Sequence, residues 1–212
     1  GSLAASFMQG AMVGALVRGL EFTDGEYSGG ALGWLSAFSV LCGVGLCLGY
    51  ALLGACWLVR KCDGAVRERA RRQIPILAIA VLGFLVLVFV YALAEHLPIL
   101  QRWIDRPYLF VFPAVGAAAA AVLATSILRH NDYWPFYMVA LIFASAFGTL
   151  ALSFWPYMIP FRITIDQAAA PHSSLAFMFW GEGLFVFPLL LLYTAIGYRV
   201  FRGKVGVMPG HY

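Results

Sequence analysis

The sequence predicts an all-α, polytopic transmembrane helical bundle, and three observations carry that expectation: composition, the length of the apolar runs, and the placement of basic residues. Of 212 residues, 62% are apolar and 11% are charged, whereas a soluble domain averages about 45–50% apolar and about 25% charged. So few charges cannot cover so much apolar surface in water. Composition therefore argues against a soluble enzyme, a nucleic-acid binder and a disordered chain. Period-two alternation with short turns, the mark of an outer-membrane barrel, is absent.

A crossing helix needs roughly 20 mostly apolar residues. Six segments qualify: 3–20, 32–59, 74–95, 107–128, 136–155 and 174–198. The first carries Ser2, Ser6, Gly10 and Gly14 at four-residue intervals, a face of small residues on which another helix can approach closely. The second has 28 residues; at about 1.5 Å each they outrun a hydrocarbon core of about 30 Å, so it tilts or projects. It carries Gly45 and Gly49, and the fifth repeats the spacing at Ala140, Ala144 and Gly148. Pro75 and Pro107 stand at the starts of the third and fourth, where a missing N–H costs nothing. Pro113 and Pro188 lie inside the fourth and sixth and should bend them. The expected helix-packing positions are thus Gly10, Gly14, Gly45, Gly49, Ala144 and Gly148. A substrate path lined by small residues is the alternative use of such faces.

Basic residues set the orientation. The 60–73 loop holds Arg60, Lys61, Arg67, Arg69, Arg71 and Arg72; with Arg129, Arg199, Arg202 and Lys204, ten of the fourteen cations fall on one side. Arg18, Arg102, Arg106 and Arg162 fall on the other. The positive-inside rule places the 60–73 loop, the 129–135 loop and the C-terminus in the cytoplasm. Six spans return the N-terminal end to the same side. Six of ten acidic residues (Glu21, Asp24, Glu26, Glu95, Asp105 and Asp166) lie opposite. Trp34, Trp57, Trp103, Trp134 and Trp155 fall near span ends, where an amphipathic ring prefers the headgroup layer; Trp180 lies deeper. Residues 1–205 then form the bundle and 206–212 a cytoplasmic tail. Glu68, interleaved in the basic loop between two spans, favours a topological reading over a nucleic-acid patch.

Few residues could carry chemistry. Cys42, Cys47, Cys56 and Cys62 lack the paired spacing and the nearby histidines of a metal site and read as small helix residues. His96, His130, His172 and His211 fall in loops or the tail, so none supplies an axial haem ligand from within a span. Met8, Met12, Met138 and Met178 read as apolar filler. No catalytic, cofactor-binding or metal-ligating set is expected on this chain. An ionisable group at membrane depth is costly and usually functional, and the sequence places one there: Glu182, between Gly181 and Gly183 and six residues before Pro188. Two readings stay open: a water-lined proton site, or a protonated acid satisfied by a neighbouring helix. A secondary transporter with a site near Glu182 is the rival function, although paired broken helices in two related halves are not evident.

Several stretches together resemble a known family. The run from Gly43 to Leu58, followed by Lys61-Cys62-Asp63-Gly64, resembles the "GYxLLGAxWLxxKT-acidic-G" segment of cytochrome bd quinol oxidase subunit II. Ile163 to Pro171, Ser173 to Leu175 and Tyr198 to Val205 read like that family's terminus, and Phe7-Met8-Gln9-Gly10 with Gly14 like its "FxQGxxxG". The flavour is closest to the cyanide-insensitive branch. The resemblance implies that the chain corresponds to the C-terminal two-thirds of the subunit, lacks about three preceding helices, and begins with native sequence at Gly1-Ser2. It implies a heterodimer in the bacterial inner membrane that oxidises ubiquinol or a related quinol, reduces O₂ to water and builds a proton gradient. Haem b and haem d would belong to partner subunit I, with lipid and quinone around the complex and room for a small single-span accessory subunit.

Overall fold

The computed structural model describes residues 1–20, 22–23, 26–94, 103–104, 106–160 and 162–200. Expectations that fall on Glu21, Asp24, Glu95, His96, Arg102, Asp105, Arg202, Lys204, His211 and the 206–212 tail lie outside these residues.

Small residues set the first contact. Helix α1 (Ser2–Arg18) runs antiparallel along α2 (Ala37–Lys61). A Cβ on Gly10 would stand 2.5 Å from the Cys42 carbonyl oxygen, and one on Gly14 would stand 2.9 Å from the Cα of Ser39. The two backbones therefore meet across glycine, as close helix contact in lipid requires. Gly19, at φ 94°, ends α1 by donating its N–H to the carbonyls of Ala15 and Leu16. Helix α2 starts at Ala37 because the Ser36 hydroxyl accepts the Ser39 N–H at 3.1 Å, an N-cap that forbids the earlier start expected at residue 32.

The segment expected as a 14-residue basic loop is mostly helix. Only Cys62 and Asp63 separate α2 from α3 (Gly64–Ala94), which begins ten residues before the expected boundary at 74. Ala, Arg and Glu favour the helix, and Glu68 pairs with Arg72 one turn on at 3.2 Å. A charged first turn can project beyond the hydrocarbon without cost. Pro75 consequently lies inside a helix rather than at its start. There it leaves the Arg71 carbonyl without the usual N–H donor, and its ring crowds that carbonyl.

A 3₁₀ turn (Pro107–Phe110) leads into α4 (Val111–Leu128), so that Pro113 sits in the first α-turn, where proline is tolerated. Helix α4 ends in a Schellman arrangement: His130 takes φ 57°, its N–H reaches Ile127, and the Asn131 N–H reaches Ser126. Asn131 Oδ1 then accepts the N–H groups of Tyr133 and Trp134 at 2.8 and 3.2 Å and starts α5 (Trp134–Phe154). Two short antiparallel hairpins, β1 (Phe22–Thr23) with β2 (Glu26–Tyr27) and β3 (Tyr157–Ile159) with β4 (Ile163–Thr164), decorate the end opposite the α2–α3 turn. A one-turn helix α6 (Ile165–Ala168), capped reciprocally by Thr164 and Gln167, follows. The last helix runs from His172 to Val200 as α7 (His172–Phe177), a π-helical stretch (Met178–Val186) and α8 (Phe187–Val200).

Among the described residues five helices are long and apolar enough to cross a membrane: Ala37–Lys61, Gly64–Tyr91, Pro107–Leu128, Trp134–Phe154 and His172–Val200. The first expected span is a 17-residue helix, about 25 Å long and so shorter than the roughly 30 Å core. The core sits where α2, α3, α4 and α5 meet, built on Leu52, Cys56, Ile74, Leu123 and Val139, with Ala55, Ala70, Ala78 and Ala119 among them.

Three other glycines seat rings rather than backbones. Gly45 faces the Phe84 ring and Gly148 the Phe112 ring, while a Cβ on Gly49 would stand 2.6 Å from the Phe143 ring. Ala144 departs from the expectation: it is exposed, and the buried neighbour is Ser145 at 4%. One residue rotates a helix by about 100°, and spacing alone could not choose among the adjacent small residues. We expect Gly45→Ala to lower the melting temperature of the detergent-solubilised chain, and Phe84→Leu to recover part of that loss in the double variant. Additive losses in that cycle would rule out the ring-in-glycine contact.

Candidate functional site

Two features outside the apolar core could serve a function: a basic end and a broken last helix. The basic end collects the α2–α3 turn, the α4–α5 turn and the C-terminal turns of the last helix. Arg67 pairs with Asp132, and Arg71 lies 3.6 Å from the same carboxylate while donating to the His130 carbonyl at 2.9 Å. Asp132 thereby ties the start of α3 to the turn between α4 and α5. Arg60 stacks over the Tyr133 ring at 4.6 Å and the Tyr137 ring at 4.9 Å, which ties α2 to α5. Lys61 lies 5.3 Å from the Trp57 ring, and Trp57 in turn meets Phe136 and, edge-on, Tyr198.

These ion pairs are about one-third exposed, so each contributes at most about 1 kcal/mol. We expect Asp132→Ala to cost about 0.5–1 kcal/mol, with the loss shrinking as salt is raised. Thermal unfolding at low and high ionic strength checks this; a salt-independent loss would mean that packing, not charge, is what was removed.

The expected proton residue, Glu182, lies in the π-helical stretch, where the Phe187 N–H reaches back five residues to the Glu182 carbonyl. The local cause is legible. Pro188 offers no N–H to Leu184 and its ring crowds that carbonyl, while Gly181 and Gly183 weaken the preceding turn. A widened turn accommodates both effects, and such turns are frequent at functional positions. The Glu182 carboxylate makes no hydrogen bond or ion pair among the described residues, and no residue of the last helix is buried. The neighbouring helix expected to satisfy it is therefore not among the described helices of this chain. Glu182 is exposed, as is most of the last helix.

A third feature escaped the sequence reading. Ser145, Thr149 and Ser153 line one face of α5, with the Thr149 hydroxyl donating to the Ser145 carbonyl at 2.8 Å and Ser153 to the Thr149 carbonyl at 2.6 Å. Trp103 Nε1–H completes the row by donating to Ser153 Oγ at 2.8 Å. The four-residue spacing of hydroxyls was the available signal. Their main work is local, since each such hydroxyl satisfies itself on its own helix.

Two cavities accompany the basic end. One, of about 330 Å³, lies among Glu68, Arg71, Arg72 and His130, with Ile74 and Ile127 below. The other, of about 690 Å³, lies between α2 and α8 beside Trp57 and Lys61. The first contributes His130 and the second Cys62. Among the described residues no group of three His, Cys, Asp or Glu could hold a metal ion. His172, expected just before the last span, is its first residue.

Several helices long and apolar enough to cross, together with a strongly basic end, define a polytopic helical membrane protein. A model of the family described as cytochrome bd terminal oxidase subunit II matches residues 1–201, and the chain belongs to that family. The chain is also similar to a protein of Haemophilus influenzae named probable cytochrome oxidase subunit 2, at 24% identity over 230 residues, covering 94% of this chain and 61% of that protein. The chain thus spans about three-fifths of the length of that relative.

Proposed function

We propose that this chain serves as the non-haem subunit II of a membrane quinol:O₂ oxidoreductase of the cytochrome bd type, in the cyanide-insensitive branch. The observation that carries the reading is the family match along residues 1–201. In this reading haem b and haem d reside on a partner subunit I, to which this chain forms the other half of a heterodimer. The enzyme takes electrons from quinol, delivers them to O₂ and draws the protons for water from the cytoplasm.

The clustering of Arg60, Lys61, Arg67, Arg69, Arg71 and Arg72 with Arg129 and Arg199 supports a cytoplasmic basic end in the bacterial inner membrane. With α1 as a sixth, short span, both ends of residues 1–212 face the cytoplasm. Glu182 then lies partway along the last span, exposed and without a partner among the described residues, where a partner subunit's polar group or a water file would meet it. That placement fits a proton-path residue working at the junction of two subunits.

Oxygen uptake tests the reading. A complex captured through a tag on this chain should consume O₂ when supplied with ubiquinol, and the isolated chain should not. A captured, intact complex that ignores quinol would overturn the assignment.

A further inference from the structure

The cavity between α2 and α8 has a composition that the oxidase reading leaves unused. Its rim is Lys61 with Trp57, Tyr193 and Tyr198; its floor is Leu58, Ile196 and Gly197. Lys61 is the last residue of α2 and Tyr198 lies in the last turn of α8, a level that matches the headgroup layer, while Trp57 and Tyr193 stand one and two turns further in. The apolar lining lies between these levels and is open: Leu58 is 41% exposed and Ile196 51%. A Cβ on Gly197 would meet nothing within 4 Å, so the floor is open space rather than a packed crossing. At about 690 Å³, the groove has the volume of a small-molecule site.

From this we infer that the α2–α8 groove is a binding site for an anionic phospholipid, with the phosphate at Lys61 and an acyl chain along Leu58, Ile196 and Gly197. Charge selects the headgroup, since basic pockets between crossing helices hold anionic lipid heads. The exposed apolar lining beside the cation selects a lipid over a soluble anion, which would leave that lining uncovered. Arg199 and Arg60, on the turns either side, add to the same positive field. The site rests on the membrane setting alone, so its failure would leave the oxidase reading standing, and the reverse holds.

Native mass spectrometry of the tagged chain in its captured complex, titrated with phosphatidylglycerol or phosphatidylcholine, tests the assignment. Phosphatidylglycerol should be retained in preference to phosphatidylcholine, and inorganic phosphate should not displace it. Lys61→Gln should weaken retention about five-fold, the effect of one cation near an anionic headgroup. Gly197→Phe should abolish it by filling the floor, at a position where the added Cβ has room. Arg69→Gln, which removes one charge from the same end outside the groove, should leave retention within about two-fold. Equal retention of both lipids, equal losses in Lys61→Gln and Arg69→Gln, or displacement by phosphate alone would each overturn the site. A Gly197→Phe complex that still holds the lipid would do so as well.

Discussion

Replacing Gly10 by valine should prevent α1 from seating on α2. The first added carbon would stand 2.5 Å from the Cys42 carbonyl oxygen, 2.8 Å from the Gly43 Cα and 2.9 Å from the Leu46 Cβ. Two of these three neighbours are backbone atoms of a helix that is itself held by the core. They cannot swing aside as a side chain can. Overpacking of this kind costs about 1–3 kcal/mol and occasionally more, and a fixed backbone wall puts Gly10→Val at or above the top of that range. In lipid there is no compensating hydrophobic gain, because helices associate through close contact rather than through exclusion of water. The control is built into the same chain. Cβ atoms on Gly54 and Gly83 would meet nothing within 4 Å, so alanine there should stabilise by about 0.5–1 kcal/mol through helix propensity. Thermal unfolding of the solubilised variants reads both. Gly10→Val melting with the parent chain would mean that the α1–α2 contact is not glycine-dependent.

The largest functional effect should come from Glu182→Gln. The substitution keeps the size and polarity of the side chain and removes its capacity to exchange a proton. If Glu182 passes protons at the subunit junction, turnover of the assembled oxidase should fall on the order of ten-fold, which is about 1.4 kcal/mol of barrier. Haem content should stay normal, because the last helix contributes nothing to the buried core. Glu182→Asp, which keeps the proton one methylene short, should retain part of the rate. Unchanged turnover in Glu182→Gln would make the residue a tolerated acid. Loss of haem together with turnover would move its role from proton transfer to assembly.

Much of the architecture was legible in advance because lipid imposes a simple rule on length and polarity. The spans at 107–128 and 174–198 fell within about two residues of the helices, and composition alone excluded a soluble domain. The basic segment after Arg60 misled for a physical reason: hydropathy marks where hydrocarbon ends, not where the helix ends. Arg67 and Arg71 belong to α3 although they lie beyond the apolar run. Glycine spacing marked close approach at Gly10 and Gly14, but could not say that Gly45, Gly49 and Gly148 would receive rings, since the partners Phe84, Phe143 and Phe112 are distant in sequence. Glu182 was visible as a charge at depth. Its exposure along an unburied last helix was not, because tertiary contacts are not encoded in a single span. Asp132 went unnoticed for the same reason: its two arginines lie more than sixty residues earlier in the chain.

The central claim is that this chain is the non-haem half of a haem-bearing quinol oxidase. A reduced-minus-oxidised optical spectrum tests it most directly, taken on the isolated chain and on the complex captured with it from its native host. The account predicts b- and d-type haem bands in the captured complex and none in the chain alone. A captured complex with no haem bands would contradict it and would favour a transporter built around Glu182.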